Sequence, residues 1–516
     1  MRWLVRTDRI FLAVVFLGLF SMAARNVSDP DLWWHLKTGQ YISEHRSVPH
    51  NDPFSYTRAG QPWVAHEWLT ELFLYQLERS AGFGGLIVFF AAVLCAAFFL
   101  LYLRCGTGPY VAGMATLIAA WATAPVWGVR PQVLSLLLTS VWLLILERSE
   151  RNPALLWWTL PTTLLWVNLH AGFALGLFLS ALFLAGDLIE RRLGFSQPSS
   201  YTRSAYTKTA ALVLFLDLLI VPLNPNGPRM FSYPIETLRS SAMQRYIAEW
   251  FSPSFHRAEY WPFLAIVLST FAILAWCHRE VRPRDVLLLV VSLYVGLVSI
   301  RMIPLFVLIA VPLLARRIGD WPARRSQPRP TGPRLLLNTA IVAAMAIFAV
   351  AHILYVVQSQ PESEMRHFPV RAVGFLQAHP PTSAIFNHYD WGGYLIWRLC
   401  PSRRVFIDGR ADVYGEELFE QFANTYQFKG DWHKTLQEWN IGAVIIPADS
   451  ALAAGLRNSS DWTVAYEDSL AVILNARPDS GQSPPATTEP MKGGVAPSVT
   501  IGMQESTPAR TICRLL

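Results

Sequence analysis

Residues 9–36 read RIFLAVVFLGLFSMAARNVSDPDLWWHL, an apolar run followed at once by an acidic, aromatic motif. Behind the basic start MRWLVR, the run would suit a signal peptide. Many more apolar stretches follow it, which favours a retained first span. A helix needs about 20 apolar residues, within a range of about 17–25, to cross a bilayer. Stretches near 9–25, 81–103, 108–128, 132–147, 154–169, 171–189, 208–223, 261–277, 285–300, 302–315 and 334–357 are candidates, with 154–169 and 302–315 short. The chain reads as a polytopic α-helical membrane protein with about eleven transmembrane helices.

Composition agrees. Of 516 residues, 53% are hydrophobic and only 15% charged, against about 25% charged in soluble domains. With 20 Trp and 29 Phe, much of the surface must face lipid. A soluble enzyme, a disordered chain and a fibrous protein are excluded. The net charge is +7, but its placement says more. With the N-terminus inside, the inner segments carry Arg104, Arg148, Arg151, Arg191, Arg192, Arg282, Arg284, Arg316 and Arg317, whereas the short outer turns hold Arg130 and Arg301. That is the positive-inside pattern. An odd number of spans puts everything after residue 357 outside. The expected location is the plasma membrane, in a bacterium the inner one, with a cytoplasmic N-terminus and no nucleic-acid partner. The five Cys are scattered and suggest neither a disulfide framework nor a zinc site.

Three domains follow. Residues 1–357 form the membrane domain, with long outer loops at about 26–80 and 224–260. The stretch TELFLYQLERS (70–80) suits an amphipathic helix lying in the interface. In 358–476, short apolar strands (SAIFN, RVFID, GAVII, WTVAY, AVILN) alternate with helical patterns, which predicts a small extracytoplasmic α/β domain. The tail 477–516 is rich in Pro, Ser, Thr and Gly, a composition that predicts disorder.

Several polar groups could carry chemistry. Asp29 and Asp31 lie just beyond the first span. They either cap a helix beside an interfacial Trp belt, or hold a carboxylate at headgroup depth as general base or metal ligand. His35 would share a helical face with Asp31. His66 and Glu67 open the amphipathic stretch, either as a solvated helix start or as substrate-binding groups. Asn168 and His170 sit at a tight outer junction between spans, where polar groups need protein partners or a water-filled cavity. They are helix-end caps or ligands. Arg130, Arg229 and Arg301 run against the charge bias. They either snorkel to the interface or bind phosphate through paired hydrogen bonds. Asp390 in YDWGGY, and Asp408, Arg410 and Asp412 in FIDGRAD, follow strands, where α/β sheets bind ligands. A fold-defining turn is the equal alternative. The sequence contains no phosphate loop, dinucleotide fingerprint or HExxH.

The layout resembles the GT-C superfamily of polytopic glycosyltransferases, which take sugars from polyprenyl phosphate or pyrophosphate carriers. The run Asp31-Leu32-Trp33-Trp34-His35-Leu36-Lys37-Thr38-Gly39-Gln40-Tyr41-Ile42 is similar to the acidic motif of the oligosaccharyltransferases. Asp29-Pro30 matches an alternative register of the same motif. A Trp-Trp-Asp acceptor motif is not found, which argues against protein N-glycosylation. The DPDLWWHL and YDWGGYL…FIDGR segments also look like those of bacterial membrane proteins of similar layout. The resemblance implies a lipid-linked sugar donor and a glycan, lipid or protein acceptor. Asp31 or Asp29 would accept or orient the acceptor's proton. Arg301, with Arg130 or Arg229, would neutralise the carrier phosphate, and attack would invert the anomeric carbon. A divalent cation, magnesium or manganese, could assist, with Asp31, Glu67 and His170 as its ligands. The other readings are a transporter or flippase, and a non-catalytic envelope assembly protein. The former is disfavoured because polar residues cluster at the outer face and no repeat is visible.

Overall fold

The computed structural model describes residues 7–194, 200–276, 281–319 and 332–477, with the backbone alone for 200–204 and 332–335. The expected disorder of the tail concerns residues 478–516, outside the described residues, as are Cys277 and Cys513. The chain forms two compact units. One comprises Met1–Val27, His66–Glu236 and Glu249–Gln360; the other comprises Ser28–Ala65, Thr237–Ala248 and Pro361–Leu516. The sequence reading kept both outer loops whole within 1–357, whereas residues 28–65 and 237–248 of those loops cluster with the second unit.

The first unit is helical. Among the described residues, seven helices are long and apolar enough to cross a membrane: Trp68–Cys105, Pro109–Val126, Gln132–Ser149, Phe173–Arg192, Ala205–Leu223, Ala258–Trp276 and Leu336–His367. The other four expected stretches are also helical but shorter: Thr7–Ala23, Thr159–Leu169, Pro283–Val298 and Ile303–Ile318, at 17, 11, 16 and 16 residues. The helix Ile303–Ile318 has a physical reason to be short and apolar all round. It buries every residue from Leu305 to Pro312, as a helix inside a bundle does. The outer helices do the reverse. Trp121, Trp276 and Leu336 are 63%, 85% and 75% exposed, an apolar surface that suits lipid and not water.

The amphipathic stretch 70–80 is not a separate element. It is the first part of Trp68–Cys105, which breaks at Gly82 with φ 60° and ψ −166°. Only glycine takes that conformation without strain, so one residue converts an amphipathic helix into the following span.

The second unit holds a four-stranded mixed sheet in the order β1-β2-β4-β3. The strands are β1 (Ala384–Asn387), β2 (Ile441–Pro447), β3 (Trp462–Glu467) and β4 (Ala471–Ala476). The β1–β2 pair is parallel; β2–β4 and β3–β4 are antiparallel. The expected strand RVFID does not form a strand of the sheet. Val405 instead bridges Ser55, with Val405 N–H donating to the Phe54 carbonyl at 3.2 Å and Tyr56 N–H to the Val405 carbonyl at 3.1 Å. The Asn387 side chain ties the same segment to β1: its Oδ1 accepts from Phe406 N–H at 2.8 Å and its amide donates to the Ile407 carbonyl at 2.7 Å. The first outer loop thus completes the fold of the second unit.

Candidate functional site

In the second unit, the acidic motif opens the helix Leu32–His45. Trp33 is fully buried, edge-on to Tyr394 at 4.8 Å and to Phe368 at 5.2 Å. It is a core aromatic and does not form the interfacial belt considered from the sequence. Its burial fixes the start of the helix. Asp31 occupies the N-cap position, but its carboxylate makes no capping bond. Oδ1 instead accepts from the Trp34 indole at 3.1 Å. Asp29 is buried, and its Oδ1 accepts the Asp31 backbone N–H at 2.9 Å. Asp29 therefore shapes the turn that presents the partly exposed Asp31. His35 is buried, with its ring beside Trp34 at 3.6 Å between centroids.

Gly409 of FIDGR lies directly against this pair. A Cβ there would collide with Asp31 Oδ1 and lie 3.1 Å from the Trp34 indole nitrogen. Tyr389 donates to the Gly409 carbonyl at 3.3 Å. Burial first, then the negative charges of Asp31, Asp390, Asp408 and Asp412, hold its phenol well above the usual range. Tyr389 therefore stays a donor. Asp390 is half-buried and Asp412 exposed.

Asp408 and Arg410 have a different environment. Both side chains are fully buried. Arg410 Nε and Nη2 grip Asp408 at 2.8 and 2.7 Å, and Nη1 reaches Asp52 at 2.7 Å. Tyr414 donates to Asp408 as well. The guanidinium also sits 4.7 Å from the Trp63 ring and 5.1 Å from Phe54. Burial alone would lower the pKa of Arg410, but Asp408 and Asp52 reverse that and raise it well above its usual value. The pair answers to the fold-defining turn. Asp52 completes it and was not singled out in the sequence; the short Asn51-Asp52-Pro53 turn was its only local signal.

In the first unit, Glu67 Oε1 lies 2.9 Å from His66 Nε2 and 3.4 Å from His170 Nε2. Glu67 is buried and makes no capping bond, so the solvated helix start expected of it is not what forms. His170 Nδ1 accepts the Gly172 N–H at 2.8 Å and lies 2.8 Å from Ser135 Oγ. That pattern assigns the ring proton of neutral His170 to Nε2, directed at Glu67. Tyr233 packs on His66 at 4.4 Å between ring centroids. Asn168 accepts from the Trp68 indole at 2.8 Å and donates to the Leu164 and Leu223 carbonyls at 2.9 and 3.3 Å, which pins a helix end.

This set does not fit a cation. A histidine ligand presents a bare nitrogen, yet one nitrogen of His170 accepts from backbone and the other carries the proton towards Glu67. Among the described residues, no three His, Cys, Asp or Glu side chains are grouped to hold a metal ion.

Glu249 pairs with one of the three outer arginines and feels the charge of a second. Arg130 is buried and paired with Glu249. Burial alone would raise Glu249, but the charges of Arg130 and Arg301 hold its carboxyl below the ordinary value. Arg301 is half-buried, 5.8 Å over the Trp250 ring. Its turn is tied to residues 249–251: Ser299 Oγ donates to the Glu249 carbonyl at 2.9 Å, and Ile300 N–H to the Phe251 carbonyl at 2.9 Å. Arg229 is exposed at the head of the helix Arg229–Arg239. Sequence reasoning missed Glu249, whose signal was an acid amid the aromatic residues of the second outer loop.

No protein-family model matches the sequence, and no curated protein matches it. Solved structures do. ArnT from Cupriavidus metallidurans, bound to undecaprenyl phosphate, is 13% identical; the match covers 92% of this chain and 98% of that one with a TM-score of 0.50. The Archaeoglobus fulgidus oligosaccharyltransferase is 12% identical, over 87% of this chain and 70% of that one, with a TM-score of 0.49. The mycobacterial arabinofuranosyltransferase AftD is 14% identical, over 92% and 41%, with a TM-score of 0.45. The resemblance to GT-C glycosyltransferases therefore holds at the level of the fold. The chain is an α-helical membrane protein built like ArnT.

Proposed function

We propose that this chain is a membrane glycosyltransferase. It moves a sugar from a polyprenyl phosphate or pyrophosphate carrier to an extracytoplasmic glycan, lipid or protein, with inversion. The observation that carries this reading is Asp31: a partly exposed carboxylate, oriented by one indole donor and set by the Asp29 turn. An ArnT-like fold supports it, because that relative holds undecaprenyl phosphate. Asp31 takes the proton of the acceptor hydroxyl or amine as it attacks the anomeric carbon. The carbon–oxygen bond to the carrier breaks, and the carrier phosphate leaves with the electron pair. Asp29 acts through the backbone as a positioning residue.

Arg301 is the proposed phosphate-binding arginine, since Arg130 is already neutralised by Glu249. No step is assigned to a metal. The proposed topology has eleven spans, the N-terminus in the cytoplasm and residues 358–476 outside. The test is transfer from a panel of labelled polyprenyl-phosphate sugars to extracted membrane acceptors. Asp31→Asn should lower transfer by about 10²–10⁴-fold, the usual worth of a general base, with carrier binding retained. Carrier binding without transfer by the wild type would turn the reading towards transport. Full transfer by Asp31→Asn would remove the catalytic role.

A further inference from the structure

At the other set of helix ends in the first unit lies a charged cavity of ≈ 350 Å³. Its lining includes Glu147, Glu150, Arg282, Arg284, Arg316 and Arg317, with Asp285 beside them. These come from three helix ends: Gln132–Ser149 with the residue after it, Pro283–Val298 with the residue before it, and the last turn of Ile303–Ile318. Four arginines face three carboxylates, so the lining carries one excess positive charge. The groups behind it leave that excess unchanged. Arg104 grips Glu147 at 2.8 and 3.2 Å, while Glu190 grips Arg282 at 2.9 and 3.1 Å.

The ion pairs are unevenly shared. Arg282 bridges Glu190 and Glu150, and Arg284 pairs with Glu150. These two make a fixed floor. Arg284 is buried and also stacks on Phe183 at 4.7 Å, and its Nε has no hydrogen-bond partner among the described residues. Arg316 reaches Glu147 only at 3.6 Å, and its side chain is 38% exposed. A buried guanidinium nitrogen without a partner needs an acceptor, and excess charge in a partly desolvated cleft needs a counter-ion. An adjoining space of ≈ 30 Å³, lined by Leu143, Phe183, Leu288 and Ile309 among others, has room for a water-sized group only. The cavity itself, at ≈ 350 Å³, has room for a phosphate headgroup.

We infer that this cavity is a phosphate-binding site, taking either inorganic phosphate or the phosphate headgroup of an anionic phospholipid. Arginine forks match phosphate oxygens in pairs. In the proposed topology the site faces the inner leaflet, where anionic headgroups lie within reach. The inference is independent of the transferase reading and of Asp31.

The test uses the full chain in detergent. Inorganic phosphate is titrated against chloride at equal ionic strength, with thermal unfolding as the readout. Native mass spectrometry then follows retention of phosphatidylglycerol against phosphatidylcholine. R316Q/R317Q should weaken binding by about tenfold, one lost charge-assisted bond in magnitude. R148Q, an exposed arginine outside the cavity, should stay within about twofold of the wild type, an exposed charge being worth little. Should the double variant fold poorly, the single R317Q keeps the Arg316–Glu147 pair and should still weaken binding. Stabilisation by inorganic phosphate identifies a free-anion site. Selective retention of phosphatidylglycerol alone identifies a headgroup site. Either supports the inference. Equal binding by the wild type, R148Q and the cavity variants, or no preference for either anion, overturns it.

Discussion

Asp31 and Asp408 belong to the same unit and sit in similarly acidic sequence runs, DPDLWW and FIDGRAD, yet their environments are opposite. Asp408 is dry, and both its oxygens are taken by Arg410, with Tyr414 on one of them. Asp31 is partly exposed and oriented by one indole. A buried pair with its geometry satisfied cannot meet a substrate, and its removal costs folding. A carboxylate held at the surface by a few oriented contacts is open to a substrate, and under the proposed function its removal would cost chemistry. The outer arginines repeat the contrast in the other unit, where Arg130 is buried against Glu249 and Arg301 is half-buried over Trp250.

The largest expected effect tests the buried side of that contrast. Arg410→Met should destabilise the second unit by about 3–5 kcal/mol, because Asp408 and Asp52 are left buried without their cation. Thermal unfolding and limited proteolysis would register it. Asp31→Asn should leave both within the noise of surface changes, about 0.5 kcal/mol. An Arg410→Met chain that folds normally and loses only transfer would exchange the two roles.

How far this contrast was legible in the sequence depends on range. Apolar runs are local, so the stretches that become helices were visible, and so were four of the strands. The Gly82 break was not, because an amphipathic stretch and an apolar one read separately even when one helix joins them. The second predicted strand failed for a different reason. RVFID has the right alternation, but its partners are residues 54–56, some 350 positions earlier, and composition carries no record of that pairing. The same distance hid Asp52. Burial, and not residue type, separates Asp408 from Asp31, and burial of a charge is the property a single sequence encodes least. For Asp29 and Asp31 both roles were in view, and the proposed division between them rests on the backbone bond from Asp31 to Asp29, a contact that composition does not record.

A middle-sized effect sharpens the Asp31 side. Trp34→Phe removes the indole donor and keeps most of the packing. Gly409→Ala places a methyl where the Asp31 carboxylate sits. Both should lower kcat for transfer by about tenfold, the worth of one oriented hydrogen bond to a charged group, with KM for the carrier little changed. Gly409→Ala should also cost about 1–3 kcal/mol of stability through overpacking. A rise in KM with kcat unchanged, in either variant, would make these residues part of carrier binding instead of supports for the base.

The smallest effect concerns a group between the two extremes. His388 follows β1; its ring lies 5.4 Å from Trp391 and 5.0 Å from Tyr426, and its buried Nδ1 has no hydrogen-bond partner among the described residues. Burial pushes its pKa down to about 3, while in the unfolded chain it returns to about 6.5. The unfolded state therefore binds a proton first. Stability is full above pH about 6.5 and falls steadily as the pH drops towards 3. Residue 388 keeps some solvent exposure, which dilutes the penalty, so the expected change is a few degrees in Tm between pH 7 and 5. His388→Phe should flatten that part of the profile, since a ring of similar shape takes up no proton. If the variant keeps the wild-type slope, the ring is hydrated enough to protonate in place, and His388 then belongs with Asp31 among the groups solvent can reach.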